Sequence, residues 1–322
     1  LATFAKAAVT QLSEWPALVL AAGLATRLQP LSSVRAKAAL PVAGTPLVSR
    51  ILRWLHDAGI RRVVLNLHHR ADSITSIVGD GSRFGLDVRY SWETGILGSA
   101  GGPARALPLL ESDRFLIVNG DTLANVDLPA LAAQHVETNA LVTMAVVDGR
   151  EGYNGVIAQP SGIVRGFGRE PGAFHFIGIQ AVNASVLAGV DPDKKSETVH
   201  GIYPALIASR PESLRIHRSA TDFFDIGSPR DYLETALTLA AREGQPLDRG
   251  SDAAIAADTR LTNTLIWDHV TIGAGAELDH CIVADDVVVP AGARYSHSCL
   301  LMRDNELVAW NLDSNNISPN RT

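Results

Sequence analysis

From residue 17 onward, short apolar runs alternate with segments of helical spacing, and beyond residue 252 the apolar period changes to six residues. Few folds satisfy both patterns in one chain. Residues 17–21, 62–67, 88–92 and 115–118 read as strands. Between them, Leu47, Val48, Ile51, Leu52 and Leu55 keep helical register after a Thr45-Pro46 start and before a Gly59 stop. Further helices are expected over 72–78 and near 103–107. This alternation predicts an α/β fold with a doubly wound, mainly parallel, Rossmann-like sheet. Strands at 141–147, 155–158 and 175–182 follow, then a helix opened by Ser228-Pro229 and running through Arg242, with Asp231 placed to complete a capping box.

In the last part of the chain Ile266, Ile272 and Leu278 recur every six residues, as do Val283, Val289 and Tyr295 after a slip of one. Small residues fill the places between (IGAGAE, VPAGAR). The pattern predicts a short C-terminal left-handed parallel β-helix of roughly six hexads, about two coils. Two coils are too few to stand alone, so the module must lean on the rest of the chain or on a second copy. The expected organisation is an extension over 1–16, the α/β domain over 17–243, a linker over 244–263 (EGQPLDRGSD at its start), hexads over 264–302 and a fraying tail over 303–322. In the hexads Cys281 and Cys299 read as small buried residues, Trp267 and Tyr295 as seals of the coil. His280 and His297 invite an acyltransferase reading, but two coils offer too little surface for an acyl-coenzyme A site.

Composition removes several classes of function. A net charge of −6 over 322 residues leaves no basic field for nucleic acid or an anionic membrane. Any phosphate binding must come from a local cluster of cations and a metal. The two cysteines suit a reducing, cytoplasmic setting, and no run of eighteen apolar residues is present to span a membrane. The opening LATFAKAAVTQLSEW lacks the basic start and apolar centre of a signal peptide and reads as an amphipathic extension. The sequon Asn316-Ile317-Ser318 carries little weight in such a chain.

Ligands of doubly wound sheets bind beyond the carboxyl ends of the strands. There the sequence is VLAAGLATRLQPLSSVRAKAALPV, residues 19–42. Gly23 follows a strand and frees backbone N–H groups for phosphate. Neither a Gly-Lys-Ser/Thr nor a Gly-x-Gly-x-x-Gly pattern follows it. Arg27 offers a planar fork for phosphate oxygens and Lys37 a mobile point charge. Taken alone, Arg27, Arg35 and Lys37 read more readily as solvated surface charges. Asp121 ends an apolar strand and Asp225 precedes a helix. A lone strand-end Asp is usually a cap, whereas two beside a phosphate loop suit Mg2+ as hard oxygen ligands.

AAGLATRLQPLSSVRAKAALPVAGTPL resembles the signature of the sugar-1-phosphate nucleotidylyltransferases, Gly-x-Gly-Thr-Arg-Leu-x-Pro-Leu-(Ser/Thr) followed by Lys and Leu-Pro-Val. It departs at Ala25 for glycine, and at Ala36 and Ala38 for the prolines that often flank the lysine. ETGILGSAGGP (93–103) resembles the family's base and sugar loop. VNGDTL (118–123) and FFDIGSPRDYLE (223–234) resemble the segments that deliver its two metal-binding aspartates. Hexads also recur in the family, so the resemblance covers about 18–302. It implies that 17–243 is a catalytic domain with Arg27 and Lys37 as catalytic residues and Asp121 and Asp225 on Mg2+. The nucleotide would lie against Ala21, Ala22, Gly23, Leu24, Ala25, Thr26, Asn66, Glu93, Gly98, Ser99 and Gly120. The sugar phosphate would face Gly101, Gly155, Arg169 and Gly178.

The implied reaction joins an NTP to a sugar 1-phosphate and releases pyrophosphate. Many relatives carry Glu-Lys-Pro after a Phe; here Phe167-Gly168-Arg169-Glu170-Pro171 puts Glu170 at the lysine, so that either Arg169 substitutes or the branch omits the contact. The hexads and the LGSAG stretch lean towards mannose-1-phosphate guanylyltransferases, and GDGSRFGL (79–86) with the open Gly-rich loop towards N-acetylmuramate 1-phosphate uridylyltransferases. GTP therefore ranks ahead of UTP. Rival readings are a bifunctional nucleotidylyl/acyltransferase and a silent, nucleotide-sugar-sensing regulatory subunit. A homo-oligomer, through the β-helix, is expected. His68 and His69 read as loop-packing histidines, and His175 as a strand residue near Gly178.

Overall fold

A computed structural model describes residues 12–149, 155–247 and 249–312. Residues 1–11 of the expected extension, and 313–322 of the expected tail with its sequon, lie outside the described residues. Two compact units are present. One comprises the described residues up to Gly23 with 51–68 and 78–223; the other comprises 24–50, 69–77 and the described residues from 224 on. The helices are α1 Leu47–Asp57, α2 Ala71–Val78, α3 Gly98–Leu110, α4 Leu128–Glu137, α5 Tyr203–Ser209 and α6 Pro229–Glu243.

The first unit is built on a seven-stranded sheet: β1 Ala17–Leu20, β2 Arg62–Leu67, β3 Asp87–Trp92, β4 Arg114–Asn119, β5 Val142–Val147, β6 His175–Asn183 and β7 Leu214–Arg218. Their order is β7-β5-β6-β4-β1-β2-β3. β6 runs against β4 and β5, and every other pairing is parallel. The mixed, mostly parallel sheet is the one expected. Ala17, Leu18 and Val19 are wholly buried, which is why β1 reads as a continuous apolar run without alternation. Leu18, Val64, Phe115, Ile117, Val142 and Met144 share one core.

The C-terminal part of the second unit consists of short strands: β8 Ala254–Ile255, β9 Arg260–Thr262, β10 Leu265–Ile266, β11 Thr271–Ile272, β12 Glu277–Asp279, β13 Ile282–Val283, β14 Val288–Val289, β15 Arg294–Ser296, β16 Ser298–Arg303 and β17 Glu306–Asn311. They lie in three stacks, β8-β11-β14, β9-β12-β15 and β10-β13-β16-β17. Pairing is parallel throughout except for β17 on β16. Each parallel partner lies 17 residues further on, an arrangement consistent with a β-helix. The one-residue slip in the hexads thus recurs in every coil. It falls at the corner held by Asn263, His280 and His297, all in the left-handed region. Ile266, Ile272, Leu278, Val283, Val289 and Leu300 fill the interior. Cys281 and Cys299 are wholly buried, as expected, and burial pushes the Cys281 thiol up to about 11.

Two features differ from expectation. β8 and β9 fall inside the segment expected as a linker and add a third parallel strand to the first two stacks. Their hexad letters are weak, yet Ile255 and Leu261 still pack on the interior. β17 lies in the segment expected as a tail; Leu307 and Ala309 alternate inward and seal the last coil. Among the described residues no helix is long and apolar enough to cross a membrane.

His135 in α4 gives the first unit a pH dependence. It is 1% exposed, with Nδ1 2.9 Å from Thr143 Oγ1 and Nε2 2.9 Å from Asn183 Oδ1. A neutral ring accepting from the Thr143 hydroxyl and donating to Asn183 satisfies both contacts. Burial pushes its pKa below the ordinary histidine value, against the opposing Asn183 bond. The unfolded chain takes up this proton as pH falls through about 6.5 while the folded chain resists it. Stability is therefore flat above that pH and falls below it. We expect Tm to drop between pH 6.5 and 5, and His135→Gln to flatten part of that slope, read by thermal denaturation across buffers.

Candidate active site

In the first unit the strand ends are tied together by buried polar groups. The Ala21 N–H, just past β1, donates to Asn66 Oδ1 at 2.7 Å. Asn66 Nδ2 donates to Glu93 Oε1 at 2.7 Å, and Glu93 Oε2 accepts from Leu97 N–H at 2.9 Å. Asn66 and Glu93 are 4% and 5% exposed. Their polar atoms, expected at the nucleotide, fix the turn between strand end and α3. Ala21 and Ala22 are buried beside them, and Gly23 is exposed.

The start of α3 is closed in the same way. Ser99 N–H and Oγ donate to Glu197 Oε2 at 3.1 and 2.7 Å. The Ala100 and Gly101 N–H groups donate to Ser196 O at 2.9 and 3.2 Å. These are the donors a helix N-terminus leaves open, and here residues 196–197 take them up. Glu197 was not foreseen from the sequence, which carries no local sign of a partner 98 positions from Ser99.

Asp121 stands just past β4, half-buried, with Thr122 Oγ1 at 3.3 Å from its Oδ1. Gly120 before it donates its N–H to Leu20 O at 2.9 Å. A Cβ there would lie 2.7 Å from that oxygen, so only glycine lets β4 pass β1 and present Asp121. Gly178 in β6 has φ +76°, and a Cβ would lie 2.5 Å from Asn119 Nδ2. Gly155 opens a small antiparallel ladder of 155–158 with 164–168, and Arg169 is exposed just after it. His68 Nδ1 lies 2.9 Å from Glu93 O, a loop-packing role as expected.

The second unit carries the cationic loop. Its path runs through three short 3-10 turns, Thr26–Leu28, Leu31–Ser33 and Lys37–Ala39. Leu28, Leu31, Ala38, Ala39 and Leu40 are buried as its feet, while Leu24, Thr26 and Arg27 are exposed at its crest. Ala25 takes φ 48°, ψ 47°. Of the two options open to a methyl there, an ordinary negative φ or strain, the loop adopts strain. Lys37 Nζ lies 3.7 Å from Asp225 Oδ1. A Cβ on Gly227 would lie 3.2 Å from Arg27 Nη1, so the guanidinium rests on the backbone just past Asp225. Arg27, Lys37 and Asp225 therefore come together within one unit, although about two hundred positions separate them.

Arg35 behaves differently from its two neighbours. Its Nε donates to Asp285 Oδ2 at 2.7 Å, and its Nη2 pairs with both Asp285 and Asp268. The guanidinium lies 5.1 Å from the centre of the Trp267 ring. Burial opposes its charge, but the two carboxylates outweigh that and raise its pKa. Asp268 is held below the ordinary carboxylate range by Ser251 and Arg35, against its burial. His69 Nε2 lies 2.7 Å from Ser32 O, again loop packing.

A family model for nucleotidyl transferases matches residues 16–242. The chain belongs to that family. It is a member of its sugar-1-phosphate nucleotidyltransferases. Mannose-1-phosphate guanylyltransferase of Mycobacterium tuberculosis is 27% identical over 304 residues, covering 80% of this chain and 81% of that protein. N-acetylmuramate alpha-1-phosphate uridylyltransferase of Neisseria meningitidis is 44% identical over 115 residues, 35% of this chain and 50% of that protein. The crystal structure of HddC from Yersinia pseudotuberculosis shares the fold, with a TM-score of 0.61 over 70% of this chain and 99% of that one at 21% identity.

Two substitutions test the backbone of these loops. A left-handed alanine costs about 1–2 kcal/mol, and glycine loses roughly 0.4–1 kcal/mol through the entropy of the unfolded chain. Ala25→Gly is expected to leave Tm unchanged or raise it slightly, with pyrophosphorylase activity largely intact. Gly178→Ala meets both positive φ and Asn119, so a loss of about 2 kcal/mol or more is expected in urea denaturation.

Proposed function

We propose that the protein transfers a nucleotidyl group from GTP to a sugar 1-phosphate of the mannose type, releasing pyrophosphate. The observation that carries the reading is the gathering of two cations and a hard carboxylate in one unit, with Arg27 at the exposed loop crest over Gly227 and Lys37 beside Asp225. The same alignment that reaches most of the chain supports guanylyl transfer. UTP with an N-acetylmuramate-type sugar is the second reading, favoured by the higher identity over the shorter stretch. We also read the C-terminal stacks as a left-handed parallel β-helix, on the support of their 17-residue register.

In this mechanism an ionised phosphate oxygen of the sugar 1-phosphate attacks the α-phosphorus in line with the departing pyrophosphate. The nucleophile needs no general base at neutral pH. The barrier lies in bringing two polyanions together, so positioning and charge neutralisation supply the rate. Arg27 holds the β- and γ-phosphates as a bidentate fork and stabilises the leaving pyrophosphate. Lys37 meets the α-phosphate or the sugar phosphate with a point charge. Arg169 takes the place of the family lysine at the sugar phosphate.

Among the described residues no group of three or more His, Cys, Asp or Glu is arranged to hold a metal by itself. Mg2+ in phosphoryl transfer binds through one or two carboxylates plus substrate phosphates, and Asp121 and Asp225 are each a carboxylate of that kind. Asp225 is already half-buried against a cation. Mg2+ supplies neutralisation of the phosphate charge when bound.

Pyrophosphate release from GTP, UTP, ATP and dTTP, each with mannose, glucose and N-acetylmuramate 1-phosphates, tests the reading. GTP with mannose 1-phosphate should be fastest, and EDTA should abolish turnover. Arg27→Ala and Asp121→Ala should each lower kcat/KM by about a hundredfold or more. Near-normal rates in either variant would sink the assignment, and silence with every pair would favour a sensing subunit.

A further inference from the structure

The C-terminal stacks and the Lys37 loop meet within the second unit at a small number of directed contacts. Ser251, Asp268 and Asp285 occupy equivalent places one coil apart, with Ser251 N–H and Oγ donating to Asp268 Oδ1 at 2.7 and 2.9 Å. Asp268 N–H donates to Asp285 Oδ1 at 3.0 Å. Two carboxylates are thereby stacked one above the other, with side chains only 33% and 17% exposed. Like charges at that spacing repel unless a cation is inserted, and the cation is Arg35, two residues before Lys37.

On the far side of Lys37 a second tie reaches the same module. Tyr232 in α6 donates its hydroxyl to Pro41 O at 2.6 Å and accepts from Trp267 Nε1 at 3.1 Å. Trp267 is 1% exposed and also lies under the Arg35 guanidinium. The six residues from Ala36 to Pro41 therefore run between two anchors that converge on Trp267. Ala36 N–H is further held by Ser73 Oγ at 3.0 Å. Lys37 projects from the first 3-10 turn after the Arg35 anchor and meets Asp225.

We propose that the C-terminal module is a strut for the active-site loop, with Arg35 as a positioning residue that fixes Lys37 through Asp268, Asp285 and Trp267. Arg35 does not touch substrate. It holds the backbone from which Lys37 reaches, and the module supplies the charge that holds Arg35. The bidentate fork matters here, because a point charge would leave the turn free to rotate about one contact. The inference rests on Lys37 being catalytic, and it assigns to this part of the chain a role in turnover as well as in folding.

The test compares Arg35→Met, the pair Asp268→Asn with Asp285→Asn, and all three changes together. Arg35→Met leaves two carboxylates unneutralised, so its Tm should fall. The triple variant removes the repulsion and should recover much of that Tm while the anchor stays absent. We expect faster deuterium uptake across residues 36–41 in all three, and kcat about tenfold to a hundredfold below the native chain, with KM for the NTP changed less. A triple variant with native Tm, native exchange and native kcat would overturn the proposal. Should the native chain release no pyrophosphate from any pair, the catalytic reading falls, and exchange over 36–41 decides the strut alone: unchanged protection in the triple variant overturns it, and lost protection upholds it.

Discussion

Two carboxylates stacked one coil apart, Asp268 and Asp285, can share a half-buried place only when a cation joins them. Arg35 is that cation, and much of the second unit follows from it. The loop from Leu24 to Leu40 has no long helix or strand of its own, only three single turns. Turns of that kind do not order a chain unaided. Side chains do: Arg35 to the carboxylate ladder, Pro41 to Tyr232, and Arg50 to the carbonyls of Val42 and Ala43 and on to Glu243 at the end of α6. Each tie is a charge-assisted or buried hydrogen bond, so each fixes direction as well as distance.

The first unit solves the same problem with neutral and anionic groups. Its loops leave a sheet whose central strands are buried on both faces, and a buried N–H at a strand end must find an acceptor. Asn66 serves both sides, accepting from Ala21 and donating to Glu93, and Glu93 closes the circuit at Leu97. Ser196 and Glu197 do the same for the first turn of α3. A helix N-terminus is a ready anion site only while its donors are unclaimed. Here the Glu197 carboxylate takes the Ser99 donors and the Ser196 carbonyl takes those of Ala100 and Gly101, which ties the first turn of α3 to residues 196–197.

What the sequence could disclose was whatever repeats or alternates locally. The central parallel strands stood out because burial on two faces leaves an unbroken apolar run, and α6 because Ser228 opens it with a cap hydrogen bond. The hexads were legible from Ile266 to Tyr295, and even the slip of one proved to be a corner of the coil. β8 and β9 were hidden because their interior places are filled by half-buried Ile255 and Leu261 amid polar letters. Arg35 was hidden for a different reason. Its partners lie 233 and 250 positions away, and nothing within the loop distinguishes an arginine that meets carboxylates from one that meets phosphate or water. The same limit applies to Glu197.

The cationic loop therefore divides by direction and not by residue type. Ala25, strained into the left-handed region, turns the chain so that Thr26 and Arg27 stand exposed while Leu28 goes inward. Glycine would take that φ without strain, and alanine takes it because the buried feet at Leu28 and Leu31 fix the turn from the other side. Of three arginines and lysines that look alike in the sequence, Arg27 faces out over Gly227, Lys37 faces Asp225, and Arg35 faces the coil. A phosphate loop needs unclaimed donors at its crest, but it can keep them there only if other charges are firmly claimed below. In this chain the charge held by the coil lies between Arg27 and Lys37 in the backbone order, so the geometry at Lys37 is set by a pair of carboxylates on the coil.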